Sequence, residues 1–392
     1  MAKRKITAHN STDGGKQRRS AGIRVLRFVS ILLTILLGVV LIVSAYSGRI
    51  SPLRYGGIWG LLQLSYPLWL TVMVFVVFIQ LFYCRKGAFI GFAAMLFTAG
   101  PFLDFCPLNF SSRKPLPDAP VIKVMSYNAM GFFNKNYDVE NQPEENLTLK
   151  YIIDSDADIV CVEEATFLFA NKRFGVTHQL LDSLHSVYPY VYKNGDYQAF
   201  FSRYPAEPIH LDVNYKELEG YISAYRVTVD DRLLTVFSLH LRSFALDQSD
   251  KNAYRDLTEL QPDGKRSAIG TMLHKITEAN VSRARQAVKL LSFIRLYGGP
   301  DVIVCGDFND CPDCYAIHKL NDAGFRSVYP EVGLGPMITY NSDRFYFCID
   351  HILTRGGIRP LSIRKDRVRY SDHYPLIATL ELMPTNKEGT WE

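Results

Sequence analysis

The chain has 392 residues, enough for one large domain and a further segment. Its apolar residues, 48% of the total, are concentrated before residue 105, and its net charge of +5 comes from the first 27 residues, which contain eight basic residues and one acidic residue. From Val121 onward, 30 Lys and Arg stand against 36 Asp and Glu, which argues against a nucleic-acid binder with a basic face without excluding one.

Residues 1 to about 22 are polar and basic and are predicted to form a disordered tail. Three apolar runs follow, namely Phe28 to Tyr46, Pro67 to Cys84 and Gly87 to Leu103. The first is long enough to cross a bilayer as a helix. A signal peptide is the competing interpretation, but the run is too long and no small-residue cleavage site follows it. The runs therefore predict three transmembrane helices.

The basic residues near the span ends predict an orientation. The basic N-terminus and Arg85-Lys86 belong on the cytoplasmic side, so three crossings place the chain after Leu103 outside the cytoplasm. A Pro-rich linker precedes the C-terminal region. The predicted organisation is a cytoplasmic tail at 1–27, a membrane region at 28–104, a linker at 105–120, a globular domain at 121–383 and a C-terminal tail at 384–392.

The globular region mixes strands and helices, with strands in the majority. Alternating or continuous apolar runs predict strands at Val121–Asn128, Asp158–Val162, Ala199–Ser202, Ala224–Val229, Leu233–Leu239, Val302–Cys305, Phe345–Leu353 and Leu376–Leu382. Helices are predicted at Asn146–Ile153 and Val281–Tyr297, and the polar stretch Ser243–Asn280 is interpreted as a solvated loop, with a lid or substrate-selecting insertion as the alternative. This order favours an α+β fold or a two-sheet sandwich over a strictly alternating βαβ fold.

Asp307 and Asn309 follow the buried run Val302–Cys305 directly, after a break at Gly306. Residues two apart in an extended segment point the same way, so the carboxylate and the carboxamide are expected to face one site. A carboxylate can deprotonate a water, and an amide can donate to a phosphoryl oxygen. For this tripeptide alone, an ordinary turn is an equally good interpretation.

Other polar residues also stand at predicted strand ends, where a rigid sheet presents chemistry. They are Asn128, Glu163-Glu164, His240, Asp350-His351 and Ser371-Asp372-His373. Each alone is explained as a cap or a turn, but together they predict a shared site. A Gly-rich phosphate loop of the Walker type and a Gly-x-Ser-x-Gly nucleophile elbow are both absent from the sequence, which argues against nucleotide-driven work and serine hydrolysis.

The residues of these segments and their order along the chain resemble the endonuclease/exonuclease/phosphatase superfamily. This superfamily includes DNase I-like nucleases, abasic-site endonucleases, neutral sphingomyelinases and inositol-polyphosphate phosphatases. The resemblance extends over about Val121 to Leu382 and includes none of the membrane region. It is carried by Met125-Ser126-Tyr127-Asn128, Asp158-Ile159-Val160-Cys161-Val162-Glu163-Glu164, Ser202-Arg203-Tyr204-Pro205, Ser238-Leu239-His240-Leu241, Gly306-Asp307-Phe308-Asn309-Asp310, Ile349-Asp350-His351-Ile352 and Ser371-Asp372-His373-Tyr374-Pro375.

The resemblance implies a four-layer α/β sandwich and phosphoester hydrolysis with Mg²⁺ or Mn²⁺. It implies that Glu164 and Asp372 bind the metal, and that Arg203 and Tyr204 contact substrate. The implied catalytic residues are Asn128 and His240 at the phosphate and leaving group, Asp307 and Asn309 at the attacking water and phosphate, and His373 oriented by Asp350. Glu163 stands where the family has Gln, so its carboxylate is expected either to point away or to shift the metal.

Two further features have open interpretations. Cys311-Pro-Asp-Cys314 has no second Cys or His pair at zinc spacing, and our hypothesis is a local disulfide, which two free thiols in the folded protein under oxidising conditions would contradict. The basic cluster Arg364–Arg369 either attracts a phosphate-rich substrate or forms an exposed, charged edge strand.

The sequence thus predicts a membrane-anchored, metal-dependent phosphoesterase with a phosphoester substrate and no obligate protein partner. A nuclease, a phospholipid or inositol-phosphate phosphoesterase, and a catalytically dead membrane-linked binding module remain alternatives. The family and the basic cluster favour the nuclease. The membrane tether and the acidic domain favour the lipid or small phosphoester.

Overall fold

The computed structural model describes residues 12–383 except 112, 139–140, 169–172, 196, 213, 215–217, 219, 245–265 and 343–344, and leaves out the side chains of 12–21, 173, 266–269 and 345. The chain divides into two compact units, one formed by Met1–Ser47 with Leu62–Gly100 and the other by Gly48–Leu61 with Pro101–Glu392. The tail predicted at 384–392 lies outside the described residues.

The N-terminal part is helical, as its apolar runs predict. Its helices are α1 (Thr12–Tyr46), a 3₁₀ turn (Ser47–Arg49), α2 (Pro52–Tyr55), α3 (Ile58–Leu64), α4 (Tyr66–Tyr83), α5 (Arg85–Phe97) and α6 (Ala99–Phe105). By length and composition, Gly22–Arg49 and Tyr66–Tyr83 can each cross a membrane, and α5 with α6 can form a third span if the bent pair counts as one. Membrane-spanning potential is therefore present in the described chain.

One expectation for this part needs correction, and the third predicted span is bent. Helix α1 begins at Thr12, inside the predicted tail, because lengthening a helix that the apolar run has nucleated costs less than starting a new one. The third predicted span is two helices that meet at 57°. Pro101 lies at the start of α6 and accounts for the bend, because proline lacks a backbone N–H and clashes with the preceding turn.

Buried polar side chains join helices α1 and α4 within the first unit. Gln80 Nε2 donates to Ser30 Oγ at 2.7 Å and to Thr34 Oγ1 at 2.6 Å. Such hydrogen bonds hold apolar helices together where the hydrophobic effect does not.

The second unit contains the predicted strand-rich domain. Its strands are β1 (Val121–Asn128), β2 (Ile159–Glu163), β3 (Tyr190–Asn194), β4 (Gln198–Ser202), β5 (Ala206–Ile209), β6 (Tyr221–Val229), β7 (Arg232–His240), β8 (Val302–Asp307), β9 (Arg326–Ser327), β10 (Tyr340–Ser342), β11 (Phe345–Phe347), β12 (Asp350–Arg355), β13 (Ile358–Lys365) and β14 (Leu376–Leu382). Its helices are α7 (Leu147–Asp154), α8 (His178–Val187), α9 (Arg266–Tyr297), α10 (Tyr315–Asp322) and α11 (Val328–Val332), with 3₁₀ turns at Met130–Phe132 and Arg173–Gly175.

The strands form two six-stranded sheets and a two-stranded ribbon, β10–β11. The first sheet has the order β13-β14-β1-β2-β4-β3, and the second has the order β5-β6-β7-β8-β12-β9. Both contain parallel and antiparallel pairs, since β1 runs parallel to β2 and β7 parallel to β8. Strand β13 is an edge strand that includes Arg364 and Lys365, which agrees with the charged-edge interpretation of the basic cluster.

Three buried apolar clusters separate four layers. Ile303 of β8 belongs to the cluster between the two sheets, whereas Val304 packs with Phe293 of α9 on the outer face of the second sheet. On the first sheet, Val160 packs outward with Ile152 of α7. This alternation follows from the twofold periodicity of a strand, which sends successive side chains to opposite faces. The DNase I-like four-layer α/β sandwich that the sequence predicts is confirmed.

Two elements differ from their predicted bounds. The run Phe345–Leu353 is interrupted between β11 and β12, so Asp350 starts a strand instead of lying inside one. The stretch Ser243–Asn280 is not a loop throughout, because α9 begins at Arg266. Its first turns bury few side chains, among them Met272 and Ala279. A helix with so narrow an apolar face has a weak hydrophobic pattern, and its sequence resembles that of a loop. The part at 245–265 lies outside the described residues.

Gly306 allows β7 and β8 to approach each other at the end of the second sheet. Its φ is +144°, and a Cβ atom there would lie 2.0 Å from the carbonyl oxygen of Leu239. Any side chain at this position would push the strands apart. The glycine therefore sets the position of Asp307, the next residue.

Candidate active site

The sheet registers bring the predicted residues to one edge of the domain. Asn128 at the end of β1 lies beside Glu163 at the end of the parallel strand β2. In the second sheet, His240 and Asp350 both lie beside Asp307. The carboxyl ends of parallel strands share one edge of a sheet, and in this molecule the edges of both sheets contribute.

Asp307 lies at the centre of this group and is buried, with 1% of its surface exposed. Its Oδ2 accepts a hydrogen bond from Asn128 Nδ2 at 3.1 Å, and its Oδ1 accepts one from the Asn309 N–H at 2.8 Å. Burial raises the pKa of Asp307 to about 6, although His373 and His240 oppose the shift. The carboxylate is thus held in one orientation, and its pKa lies in the range that suits a general base.

Asn128 connects two carboxylates. Its Oδ1 accepts from the Met130 N–H at 3.0 Å, which fixes the orientation of the amide. Its Nδ2 therefore points toward Glu164 Oε1 and Asp307 Oδ2, each at 3.1 Å. The amide joins the ends of the two sheets.

His373 and Asp350 form a buried pair beside Asp307. His373 Nδ1 donates to Asp350 Oδ2 at 2.9 Å, and its Nε2 lies 3.7 Å from Asp307 Oδ2. Burial alone would lower the pKa of His373, but the carboxylates of Asp350 and Asp307 outweigh it and raise the pKa well above its ordinary value. The ring of Tyr340 packs edge-on against the imidazole, with centroids 5.0 Å apart. This geometry favours a protonated, fixed imidazole.

His240 approaches the same carboxylates from the other side. Its Nε2 lies 3.8 Å from Glu164 Oε1 and 3.7 Å from Asp307 Oδ2. Its Nδ1 is buried without a hydrogen-bond partner in the described chain. A proton on Nε2 would face the two carboxylates and leave only a lone pair on the orphaned Nδ1, so the contacts favour Nε2 as the donor atom of this ring.

Backbone strain is found at two of the predicted residues. Glu164 and Asn309 have φ values of 52° and 51°, in the left-handed region that residues other than glycine rarely occupy. Asn309 Nδ2 donates to the Leu241 carbonyl at 3.0 Å, which holds the strained loop against the end of β7. Such strain is concentrated at functional sites, where the surrounding fold maintains it.

The donor set suits a hard divalent cation. In the described chain, the ion pairs of Glu164, Asp307 and Asp350 are formed with His240 and His373, not with Lys or Arg. Three carboxylates thus face two imidazoles, an excess of acidic oxygen that Mg²⁺ would neutralise. The described residues contain one compact candidate group, Asp307 with Asp350 and His373, whose ligand atoms lie within 4.8 Å of one another.

Glu163 does not face the site opening. It follows Ile159 and Cys161 on the face of β2 between the two sheets, and it is completely buried. Ser126 Oγ donates to its Oε1 at 3.4 Å, whereas Oε2 has no hydrogen-bond partner in the described chain. Burial raises the pKa of Glu163 well above its ordinary value. A neutral acid there has nearly the shape of the glutamine that it replaces.

Arg203 and Tyr204 are not brought to the site. Strand β4 is antiparallel to β2, so Gln198 lies beside Glu163 and Ser202 lies beside Ile159, at the far end of the sheet. Arg203 NH2 donates to the Ser155 carbonyl at 3.1 Å at that end. The predicted contact of Arg203 and Tyr204 with substrate therefore conflicts with the antiparallel direction of β4. The local sequence does not reveal the direction of a strand.

Neither Asp372 nor the Cys-x-x-Cys motif belongs to the hydrogen-bonded network around Asp307. Asp372 Oδ1 lies 3.3 Å from Ser371 Oγ, and Asp372 is not part of the compact acidic group. Cys311 and Cys314 are both free thiols, and burial raises the pKa of each. The disulfide stays a prediction.

Three supporting residues received no role of their own in the sequence analysis. Ser371 Oγ donates to the Asn128 carbonyl at 2.7 Å and accepts from the His373 N–H at 3.2 Å, so it fastens β1 to the histidine loop. Tyr221, opposite His240 in β6, stacks on Tyr197 with ring centroids 4.3 Å apart. The Ser-Asp-His motif could have identified Ser371, but no sequence motif indicated the Tyr197–Tyr221 pair.

Comparisons with known proteins found similar solved structures and a matching family model. Solved structures similar to the chain include humanized D. rerio TDP2 (16% identity, 66% of this chain and 98% of that chain, TM-score 0.44). They also include endonuclease/exonuclease/phosphatase proteins from Beutenbergia cavernae DSM 12333 (15%, 67% and 72%, TM-score 0.46) and Bacteroides vulgatus (15%, 67% and 99%, TM-score 0.44). No curated protein matches the chain significantly.

The family model described as Endonuclease/Exonuclease/phosphatase family matches residues 125–373, which is more than half of the chain. The match begins in β1 and ends at His373, so it includes every strand-end residue described above. The chain belongs to the endonuclease/exonuclease/phosphatase family.

Proposed function

We propose that the chain is a membrane-anchored, metal-dependent phosphoesterase that hydrolyses phosphodiester bonds at the Asp307 site. Family membership supports the hydrolase class. The observation that carries the proposal is the buried network in which Asp307 lies within 3.7 Å of two imidazoles, His240 and His373. This arrangement supplies a base and two proton donors around one point.

The roles follow from the contacts of each side chain. Asp307, held by Asn128 and Asn309, orients the attacking water and accepts its proton. His373, oriented through Nδ1 by Asp350, presents Nε2 to a phosphoryl oxygen. His240 donates to the phosphate or to the leaving oxygen from the opposite side, and a protonated imidazole suits both tasks.

Glu164 is the residue that we propose as the principal metal ligand. Its side chain is 39% exposed, and its Oε1 contacts only amide and imidazole nitrogens among the described partners. Asp372 remains a proposed second ligand. Bound Mg²⁺ or Mn²⁺ would polarise the phosphoryl oxygen and neutralise developing charge. The fixed Asn128 amide, which donates to both carboxylates, would hold the Glu164 carboxylate at a constant distance from Asp307.

The membrane topology that we propose has three spans, with the N-terminus in the cytoplasm and the catalytic domain outside it. A contact inside the second unit supports this. Asn280 Nδ2 of α9 donates to the Gly57 carbonyl at 2.9 Å, so the segment between α1 and α4 lies on the same side as the domain. If α4 crosses the membrane, the chain at 85–105 must cross back.

Reporter fusions test this topology. Alkaline phosphatase, active only outside the cytoplasm, is expected to be active when fused after Glu392 or within the segment at 48–61. It is expected to be inactive when fused after Lys86. Activity after Lys86, or silence after Glu392, would contradict the three-span topology.

The substrate class is the finer part of the proposal. Docking of the segment at 48–61 on α9 favours a lipid or a headgroup phosphoester, because it ties the domain to the membrane region. A nuclease is the second candidate, since the neighbouring D. rerio TDP2 was solved with a single-strand DNA product. The basic cluster supports it weakly, because Arg364 is engaged by Asp156 and Asp366 at 2.9 and 3.1 Å.

A substrate panel separates these candidates. The full chain in detergent micelles with Mg²⁺ is assayed on plasmid DNA, a choline phospholipid and a soluble inositol phosphate. We expect cleavage of lipid or small phosphoester and little nicking of DNA. Nicking that is lost in an Asp307→Asn variant would identify a nuclease, and the absence of hydrolysis on any substrate would favour a binding module.

A further inference from the structure

A cationic cavity lies next to the catalytic edge and outside the network described above. Its volume is about 550 Å³, and it is formed by the chain after β7, one face of α9 and Gly57. Its lining includes Arg242, Phe244, Lys275, Glu278 and Arg285. All belong to the second unit.

The charge of the cavity differs from that of the domain around it. Among its described lining residues, Arg242, Lys275 and Arg285 stand against one carboxylate, that of Glu278, whose Oε1 lies 3.2 Å from His274 Nε2. The region from Val121 onward is acidic overall. A concave site with one sign of charge concentrates ligands of the opposite sign.

The wall that carries Arg242 is fixed by buried groups. Arg283, with 1% exposure, donates from NH1 to the Arg242 carbonyl at 3.0 Å and lies over the Phe244 ring at 4.5 Å. Gln286 Oε1 accepts from the Arg242 N–H at 2.9 Å. A guanidinium on a rigid backbone loses less freedom when it binds an anion.

This wall is joined to the catalytic residues. The Leu241 N–H donates to the Asp307 carbonyl at 2.9 Å, and the Leu241 carbonyl accepts from Asn309 Nδ2 at 3.0 Å. Arg242 follows His240 by two residues, a separation of about 7 Å along extended chain. A ligand can therefore reach both side chains at once.

The cavity also borders the segment between helices α1 and α4. A Cβ atom at Gly57 would lie 1.9 Å from the Thr277 carbonyl oxygen, and one at Gly60 would lie 2.3 Å from Asn280 Nδ2. The two glycines let this segment lie directly on α9. The segment continues at both ends into helices that can span a membrane.

We propose that the cavity is a subsite for a second phosphate group, which selects substrates that carry a phosphate besides the ester that is cleaved. The inference rests on the proposed function for the identity of the first phosphate. Arg242 and Arg285 bind the second phosphate through charge-assisted hydrogen bonds. The phosphate is supplied either by a lipid headgroup or by a soluble ester.

The test measures binding with the full chain in detergent micelles, in an Asp307→Asn background that prevents turnover. The probes are glycerophosphoinositol and glycerophosphoinositol 4-phosphate, which differ by one phosphate, and dioctanoyl phosphatidylinositol 4-phosphate as the lipid form. We expect the parent protein to prefer the 4-phosphate form, and an Arg242→Gln/Arg285→Gln variant to lose about tenfold to hundredfold of that preference. Arg295→Gln, exposed on the same helix, is the matched control and keeps the preference.

Weaker binding of both 4-phosphate probes, with glycerophosphoinositol unaffected, supports recognition of the phosphate itself, and weaker binding of the lipid 4-phosphate alone supports a membrane source. Equal weakening of both soluble probes, or no change in any of the three probes, would overturn the subsite. Failure of the proposed function appears elsewhere, as the absence of hydrolysis by the parent protein on every substrate of the panel, and leaves this binding result intact.

Discussion

Replacing Asp307 with asparagine is expected to lower kcat for bis(p-nitrophenyl) phosphate by about 10² to 10⁴-fold. The carboxylate accepts hydrogen bonds from the Asn128 amide and the Asn309 N–H, so its free lone pairs face the two imidazoles. An amide of the same size cannot accept a proton from water. The fold should persist, because the variant preserves volume at a position held by the backbone of β8.

Asp322→Asn is the matched control for this prediction. Asp322 makes an exposed ion pair with Lys319 at 2.8 Å on α10, and its replacement should leave kcat unchanged. Thermal unfolding of both variants separates lost chemistry from lost structure. A folded Asp307→Asn protein with parent kcat would remove Asp307 from the mechanism.

Arg283→Met is expected to reduce the free energy of unfolding by about 3–5 kcal/mol. The guanidinium is almost fully buried and donates from Nε to Asp310 Oδ2 at 3.0 Å. Methionine fills the aliphatic volume but leaves the Asp310 carboxylate, 6% exposed, without its cation. An uncompensated buried charge is much more costly than the loss of the pair itself.

Two variants sharpen this second prediction. Arg285→Met, two residues along α9 and exposed, should change the free energy of unfolding by less than about 0.5 kcal/mol. Asp310→Asn combined with Arg283→Met should recover part of the loss, because neighbouring groups are not additive. Denaturant unfolding in micelles measures all three, and equal effects of Arg283→Met and Arg285→Met would contradict the buried ion pair.

The central strands were predictable because their residues are buried on both faces. Val302–Cys305 and Ile159–Val162 are continuous apolar runs that lie inside the two sheets, and their ends carry the site. Strands β3, β5 and β9 were missed, since half-exposed or two-residue edge strands have little hydrophobic pattern. The start of α9 was missed for the same reason.

The site was predictable as far as strand ends determine it. Asn128, His240, Asp307 and Asp350 lie at the site because their strands pair in the observed registers. His373 lies in the loop before β14 and is held there by Ser371 and Asp350. The sequence does not indicate whether neighbouring strands are parallel or antiparallel, or which face of a sheet a given side chain lies on. Arg203 follows an antiparallel strand and lies at the far end, and Glu163 turns inward because the pleat of β2 sends alternate residues between the sheets.

Metal-dependent hydrolysis at the Asp307 site is tested most directly by one assay on the full chain in detergent micelles. Hydrolysis of bis(p-nitrophenyl) phosphate is followed after chelation by EDTA, and again while Mg²⁺ or Mn²⁺ is restored, with Glu164→Gln beside the parent. We predict no turnover after chelation, recovery with either metal, and a higher metal concentration for half-maximal rate in Glu164→Gln. Turnover that survives chelation, or a Glu164→Gln variant with an unchanged metal requirement, would contradict the proposal.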